Sequence, residues 1–483
     1  MTVSTKQVII SGGGPSGLAA ALLFAEQGWQ EILVIERRAS PTDFEKSKAF
    51  NYQIDPRGQK LLKRLGIAEM LEDFGVANRG FTLTTIKPDG SVNEASPPII
   101  DPDRQTSYWT TRRNLLTMLH QVIQTRKDSR IKLLYGHDFQ SITSDADGNP
   151  KITILDSNTE KTLTFQPELL LACDGLSSQV RKSLDNWPDL AKDQFEMIRY
   201  PSASTGLTYK VLNLPACFPI AGSDAAVDNH RMTYSIPSQF KDRRDAMAMF
   251  AFPVTDPNHP RSVNIIREAD HNLWTIESAD NLISYLQEGF PQLDIASIIS
   301  REEAEDFASL TAGQFPAPQY AKSIHATLGE GKHAINCLLI GDAAHAFPPD
   351  LGLGVNSALE DLFVLDGIMS EDKSNLSEAC VKFQKVRLPA NASLARLVQT
   401  VAPYQYNHKP WHFRKWILTF VIQNGLHKTM PWLIDKPTFI LTQNPDLDFV
   451  EIERRQKQSK TILNMLGCIV LGAIAAAILM LWL

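Results

Sequence analysis

Gln7-Val8-Ile9-Ile10-Ser11-Gly12-Gly13-Gly14-Pro15-Ser16-Gly17-Leu18-Ala19-Ala20-Ala21-Leu22-Leu23 is the stretch on which the fold turns. Its first five residues are a short β-branched run, residues 15–27 are rich in Ala and Leu at helical spacing, and 31–35 read as a second apolar strand. Between strand and helix stands Gly12-x-Gly14-x-x-Gly17, and Glu36 closes the second strand 19 residues beyond Gly17. Glycines there let the backbone turn tightly and approach a pyrophosphate. The helix N-terminus stabilises the phosphate charge, and Glu36 is placed to accept both hydroxyls of an adenosine ribose. The pattern predicts half of a Rossmann unit.

Around that start, the chain of 483 residues is long enough for two or three domains and for burying a large cofactor. With 43% hydrophobic and 21% charged residues it is globular in composition. A formal charge of -6 supplies no basic field, and there is no zinc-finger spacing, so nucleic-acid binding is excluded. The five cysteines, Cys173, Cys217, Cys337, Cys380 and Cys468, are scattered without a C-x-x-C pair, which argues against a disulfide framework or structural zinc. His408 and His412 have i, i+4 spacing but lack an acidic partner, so no metal site is expected.

Further along, helices are expected over 59–74 and 114–127, and strands over 131–134, 151–155 and the fully apolar 169–173. Alternating segments such as 247–254 and 263–267, with a helix near 281–287, predict an antiparallel sheet. Another buried strand, 338–340, precedes a mostly helical remainder. Residues 462–483 carry no charge and follow Arg454, Arg455, Lys457 and Lys460. At ~1.5 Å per residue they predict a single-pass C-terminal membrane anchor, with the body facing the cytosol under the positive-inside tendency.

Two later stretches complete the motif set. Gly341-Asp342-Ala343-Ala344-His345 continues through Phe347-Pro348-Pro349 to Gly352-x-Gly354-Val355-Asn356 and a helix, and Cys173-Asp174-Gly175-x-x-Ser178-x-x-Arg181 follows an apolar strand. Together with the first motif they resemble the FAD-dependent aromatic hydroxylases, the class A flavoprotein monooxygenases. Arg112-x-x-Leu115, Asn51 with Arg57-Gly58, Glu360-Asp361 and the stretch FQKVRLPAN from Phe383 extend the likeness along the chain.

The resemblance implies an α/β protein with a Rossmann-like FAD domain of the para-hydroxybenzoate hydroxylase type, assembled from 1–80, 110–195 and 326–370. A mostly antiparallel substrate domain would be interleaved at 81–109 and 196–325, with a helical region at 371–461 ahead of the anchor. FAD contacts then fall to Gly12, Gly14, Pro15, Ser16, Gly17, Glu36, Arg37, Lys48, Arg112, Asp174, Gly175, Gly341, Asp342, Pro348, Gly352, Gly354, Val355 and Asn356. The helix from Gly354 would aim its positive end at the flavin, where negative charge collects on reduction. Lys48 stands where similar members carry arginine; it keeps the charge and lacks the bidentate fork.

The implied activity is hydroxylation of a small aromatic substrate through a flavin hydroperoxide, with NADPH or NADH and O₂ as co-substrates, and it requires a dry cavity beside the ring. Phe347, Pro348, Phe50 and Tyr52 are the cavity candidates. His345 is expected to be a structural hydrogen-bonding residue, and no catalytic acid or base is assigned. Where similar members hold substrate with Asn and Tyr, this chain has Thr400 and Ala402; Arg79, Tyr108, Tyr404 and Tyr406 are candidate substitutes. The same cofactor motifs also serve flavin epoxidases of alkene lipids and oxygen-independent reductases of the prenyl-reductase type.

Overall fold

The computed structural model describes residues 7–43, 50–80, 82–96, 103–222, 226–371, 375–399 and 410–482. Its organising element is a six-stranded sheet in the order His325–Leu328, Ile335–Leu339, Leu169–Ala172, Gln7–Ser11, Glu31–Glu36, Ile131–Tyr135. All neighbours run parallel except the antiparallel edge pair His325–Leu328 and Ile335–Leu339. The inner strands are buried on both faces, which is why they read as continuous apolar runs. In register, Ser11 lies beside Ile35 and Ala172, and Ala172 beside Leu339. Parallel strands release their following loops at one edge, so Gly12, Cys173 and Gly341 leave the sheet side by side.

Packed on this sheet, the helix Pro15–Glu26 is buried from Gly17 to Ala25, which fits its Ala- and Leu-rich sequence. Helix Gly354–Glu371 lies against it and against helix Pro56–Arg64. The helix expected over 59–74 is interrupted: Gly66 has φ +68°, the left-handed conformation that ends the first segment, and a short turn precedes Leu71–Phe74.

A second core lies under a seven-stranded sheet ordered Gly313–Gln314, Thr208–Leu214, Arg261–Arg267, Ala248–Ala251, Thr233–Pro237, Leu83–Ile86, Val92–Ala95. Its pairs are antiparallel except Thr233–Pro237 with Leu83–Ile86. Helices Ala279–Gly289 and Arg301–Ser309 cover it. Two small sheets border the first layer: Asn51–Ile54 and Val76–Asn78 flank Ser107–Thr111, and Gln319–Ala321 joins Met197–Arg199 to His345–Ala346.

Beyond Glu371 the chain is helical over Leu376–Val398, Pro410–Thr429 and Phe449–Trp482. The last helix starts at Phe449 rather than at 462, because its first turns are held to the body by Phe449 and Ile452, both fully buried against Leu394 and Leu397. Among the described residues no helix is long and apolar enough to cross a membrane, so the single-pass anchor expected over 462–483 is not supported there.

Candidate active site

The first turn is built as the glycine pattern requires. Gly12 has φ +101°, and a Cβ on it would lie 2.4 Å from the carbonyl oxygen of Cys173. A Cβ on Gly17 would lie 1.8 Å from the carbonyl oxygen of Gly12. Both glycines are therefore dictated by the protein's own backbone. Gly14 differs, because nothing lies within 4 Å of the Cβ it lacks.

Glu36 ends its strand with its carboxylate turned back to this loop. Oε2 accepts from the Gly13 N–H at 2.8 Å, and Oε1 accepts from the Arg38 N–H at 2.9 Å. Arg38 is the buried partner of Glu36: its guanidinium pairs with the carboxylate and donates to the Gly13 carbonyl at 2.9 Å, whereas Arg37, expected as an FAD contact, is exposed. Burial raises the Glu36 pKa, but the bonds and charge of Arg38 outweigh it and hold the carboxyl below its usual range. The motif reading missed Arg38 because two adjacent arginines follow the strand, and only strand alternation distinguishes the inward one.

The middle motif caps a helix. Asp174 Oδ2 accepts from the N–H groups of Gln179 and Val180 at 2.8 and 3.2 Å, and its Oδ1 is buried without a partner among the described residues. Arg181 then reaches the late motif, donating to the Ala343 carbonyl at 2.6 Å.

The late motif begins with Gly341 at φ +59°, where a Cβ would lie 2.9 Å from Ala358 Cβ and 3.2 Å from Ser16 Oγ of the first motif. Asp361, fully buried, holds it: Oδ2 accepts from the Gly341 N–H at 2.9 Å and pairs with His345 Nε2 at 2.8 Å. Oδ1 accepts from Arg387 Nε at 2.7 Å, and Arg387 also pairs with Glu360. Arg57 bonds the same Glu360 and the carbonyls of Asn444 and Leu447, joining the first layer to the C-terminal helices. Burial pushes Asp361 up, but His345 and Arg387 outweigh it and keep the carboxyl below its usual value. His345 is completely buried and meets Asp361 through Nε2, while its Nδ1 has no partner among the described residues. Asn356 is a bracket as well, accepting from the Asp55 N–H and donating to the carbonyls of Gln53 and Gly352.

These motifs leave an open strip between elements that are otherwise buried. Gly12, Gly14, Pro15, Ser16, Asp174, Gly175, Gly352, Gly354 and Val355 are partly exposed, and Asp342 is exposed. Tyr52 lies at its end, hydrogen-bonded to Arg112 and close enough to Asp342 and Tyr209 to feel their charge; burial keeps its phenol above the usual value. The Arg112 N–H bonds the Phe50 carbonyl at 3.0 Å. Phe50 meets the edges of Tyr52 and Tyr209, and Tyr209 stacks on Phe315 at 5.0 Å, a wall the sequence reading did not include beyond Phe50 and Tyr52. Phe347 stacks on His345 and packs toward Leu353 and Leu394, and Pro348 is buried. Arg79 is exposed and bonds Thr106 Oγ1, with Tyr108 nearby. Lys48, Thr400, Ala402, Tyr404, Tyr406 and His408 lie outside the described residues.

The strip fits a dinucleotide: backbone N–H groups and a helix N-terminus for a pyrophosphate, carboxylates at the strand ends for sugar hydroxyls, and an unpaired Asp174 oxygen. The chain is 24% identical over 470 residues to kynurenine 3-monooxygenase of Sus scrofa, covering 96% of this chain and 89% of the relative. For kynurenine 3-monooxygenase of Caenorhabditis elegans the figures are 23% identity, 94% and 93%. A solved 2-methyl-3-hydroxypyridine-5-carboxylic acid oxygenase superposes with TM-score 0.59 at 18% identity, covering 94% of this chain and 98% of that one. The tetracycline destructase Tet(51) superposes with TM-score 0.56 at 14% identity, covering 91% and 97%. These structures share the fold. Residues 5–371 match the family described as FAD binding domain, and the chain belongs to it.

Proposed function

We propose that this protein is an FAD-dependent monooxygenase that hydroxylates a small aromatic substrate at the expense of NAD(P)H and O₂. The observation that carries the reading is the meeting of three distant stretches, at Gly12, Asp174 and Asp342, on one strip that ends against Tyr52, Arg112 and the Tyr209–Phe315 wall. Whole-chain likeness to kynurenine 3-monooxygenases supports it.

When bound, FAD supplies the redox chemistry. Gly12, Gly14 and the Pro15–Glu26 helix would hold its pyrophosphate, Glu36 its adenosine ribose, and Asp342 its ribityl chain. The helix Gly354–Glu371 would turn its positive end toward the ring, where it would favour negative charge. Phe50, Tyr52, Tyr209 and Phe315 would exclude water from the reacting face. The same reading includes membrane association through the last helix; what supports it is the uncharged stretch 462–483 and the exposure of Met465, Ile469 and Leu471.

The test is turnover under ¹⁸O₂ with NADPH and L-kynurenine or related aromatics. Label in a hydroxylated product is the expected result. Unlabelled turnover that persists without O₂ would replace oxygenation with reductase chemistry.

A further inference from the structure

Side chains alternate across the strands Thr208–Leu214, Arg261–Arg267 and Ala248–Ala251. Leu212, Val263, Ile265, Met249 and Ala251 are buried in the second core. Tyr209, Val211, Asn264, Phe250 and Phe252 therefore fall on the opposite face, where each stays partly exposed. In register, Asn264 stands between Val211 and Phe250, and the ladder continues through the bond from the Phe252 N–H to the Ser262 carbonyl. Tyr209 and Phe252 are thus the diagonal neighbours of Asn264.

The strand pair Asn51–Ile54 and Ser107–Thr111 is divided in the same way. Tyr52, Ile54 and Tyr108 pack on the first core, which leaves Asn51 and Trp109 together on the other face, diagonal to one another and partly exposed. Two ring contacts bring this face to the sheet: Trp109 meets Phe252 with centroids 5.2 Å apart, and Phe50, next to Asn51, meets Tyr209 at 6.4 Å. The cleft so bounded adjoins Tyr52, which Phe50 also touches, and hence the end of the cofactor strip.

Three polar atoms on its perimeter are shielded from solvent without a hydrogen-bond partner among the described residues: Asn51 Nδ2, Trp109 Nε1 and Asn264 Oδ1. The first two are donors on one wall, and the third is an acceptor on the other. Groups left unpaired in such a place are costly, and a bound ligand that pairs with them removes the cost. Neither wall carries a cation, so a carboxylate between Asn51, Trp109 and Asn264 would lose its water uncompensated. A neutral group with an acceptor beside a donor satisfies all three atoms.

Resting on the monooxygenase reading above, we infer that Asn51, Trp109 and Asn264 determine substrate specificity by selecting an aromatic ring that bears a carboxamide or lactam. Its carbonyl oxygen accepts from Asn51 and Trp109, and its N–H donates to Asn264. A site built to hydrogen-bond a substrate rejects the analogue lacking the bond, because its own groups are then left unpaired.

The test uses the full-length chain loaded with FAD and follows perturbation of the flavin absorbance by 4-hydroxybenzamide, its N,N-dimethyl form, 4-cresol and 4-hydroxybenzoate. These share a phenol ring and differ in the second substituent. In the wild type the amide should bind roughly tenfold or more tightly than each of the other three. Trp109→Phe keeps a ring against Phe252 and loses the N–H, and it should cut the amide-to-cresol ratio about fivefold. Asn264→Leu should remove the preference for the amide over its dimethyl form, and it carries the test if the tryptophan variant does not fold.

An amide that binds no more tightly than cresol or the benzoate overturns the inference. So do ratios unchanged in both variants, or a wild type perturbed by none of the four probes. None of these results touches the monooxygenase reading. That reading fails separately, if the folded chain binds no FAD or if no oxygen from O₂ reaches a product.

Discussion

Arg181 Nη1 donates a 2.6 Å hydrogen bond to the carbonyl oxygen of Ala343, while its Nη2 donates to the Leu176 carbonyl at 2.8 Å. One buried guanidinium thus ties the middle motif to the late one across the end of the sheet. Arg181→Ala should leave both carbonyls short of a donor and cost roughly 1–3 kcal/mol. Thermal unfolding should report that loss, and flavin fluorescence should show FAD released at lower temperature than from the wild type.

Gly14 and Gly17 separate cofactor contact from folding. A methyl on Gly17 meets the Gly12 carbonyl, whereas one on Gly14 meets nothing in the protein. Gly14→Ala should therefore leave the apo-protein's unfolding within about 0.5 kcal/mol of wild type and weaken FAD binding at least about tenfold, the backbone being kept from the pyrophosphate. Gly17→Ala should lower the stability of the apo-protein itself. Equal FAD affinity in Gly14→Ala and wild type would remove the pyrophosphate from this loop.

Asp361 carries three partners in the interior: the Gly341 N–H, His345 and Arg387. Removing one side of a buried ion pair leaves the other uncompensated, so Asp361→Ala should cost roughly 3–5 kcal/mol. Because Asp361 sits below its usual pKa, its contribution is complete above the unfolded carboxylate value of about 4 and is lost as pH falls through its lower folded value. Acid unfolding of the wild type against the variant checks both statements.

Asp350 runs the other way. Its folded pKa, pushed up to about 7, exceeds the unfolded value of about 4. Stability from its protonated form is therefore complete below pH ~4, declines as pH rises between the two values, and is gone above the folded pKa. In the apo-protein, the melting temperature of wild type relative to Asp350→Asn should fall from pH 5 to pH 8. A difference independent of pH would show that Asp350 is ionised throughout.

Much of the first layer could be read without coordinates because its signals are local. A β-branched run, a glycine turn and an Ala- and Leu-rich helix are set by neighbours a few residues apart, and strands buried on both faces appear as unbroken apolar runs. The break of the 59–74 helix at Gly66 was harder, since apolar spacing continues across it and only the left-handed glycine marks the end.

Sequence by itself determined the class of fold, the three motif stretches and the cofactor they serve, because close backbone approach and phosphate charge demand glycine and a helix N-terminus in fixed order. Only tertiary structure decided that Arg181 joins two motifs, that Tyr209 stacks on Phe315 beside Phe50, and that Asp350 meets Ser204. Those pairings join residues more than a hundred positions apart and depend on how the elements that carry them pack together. No short-range preference of the chain encodes that arrangement; it emerges when the two cores are buried together.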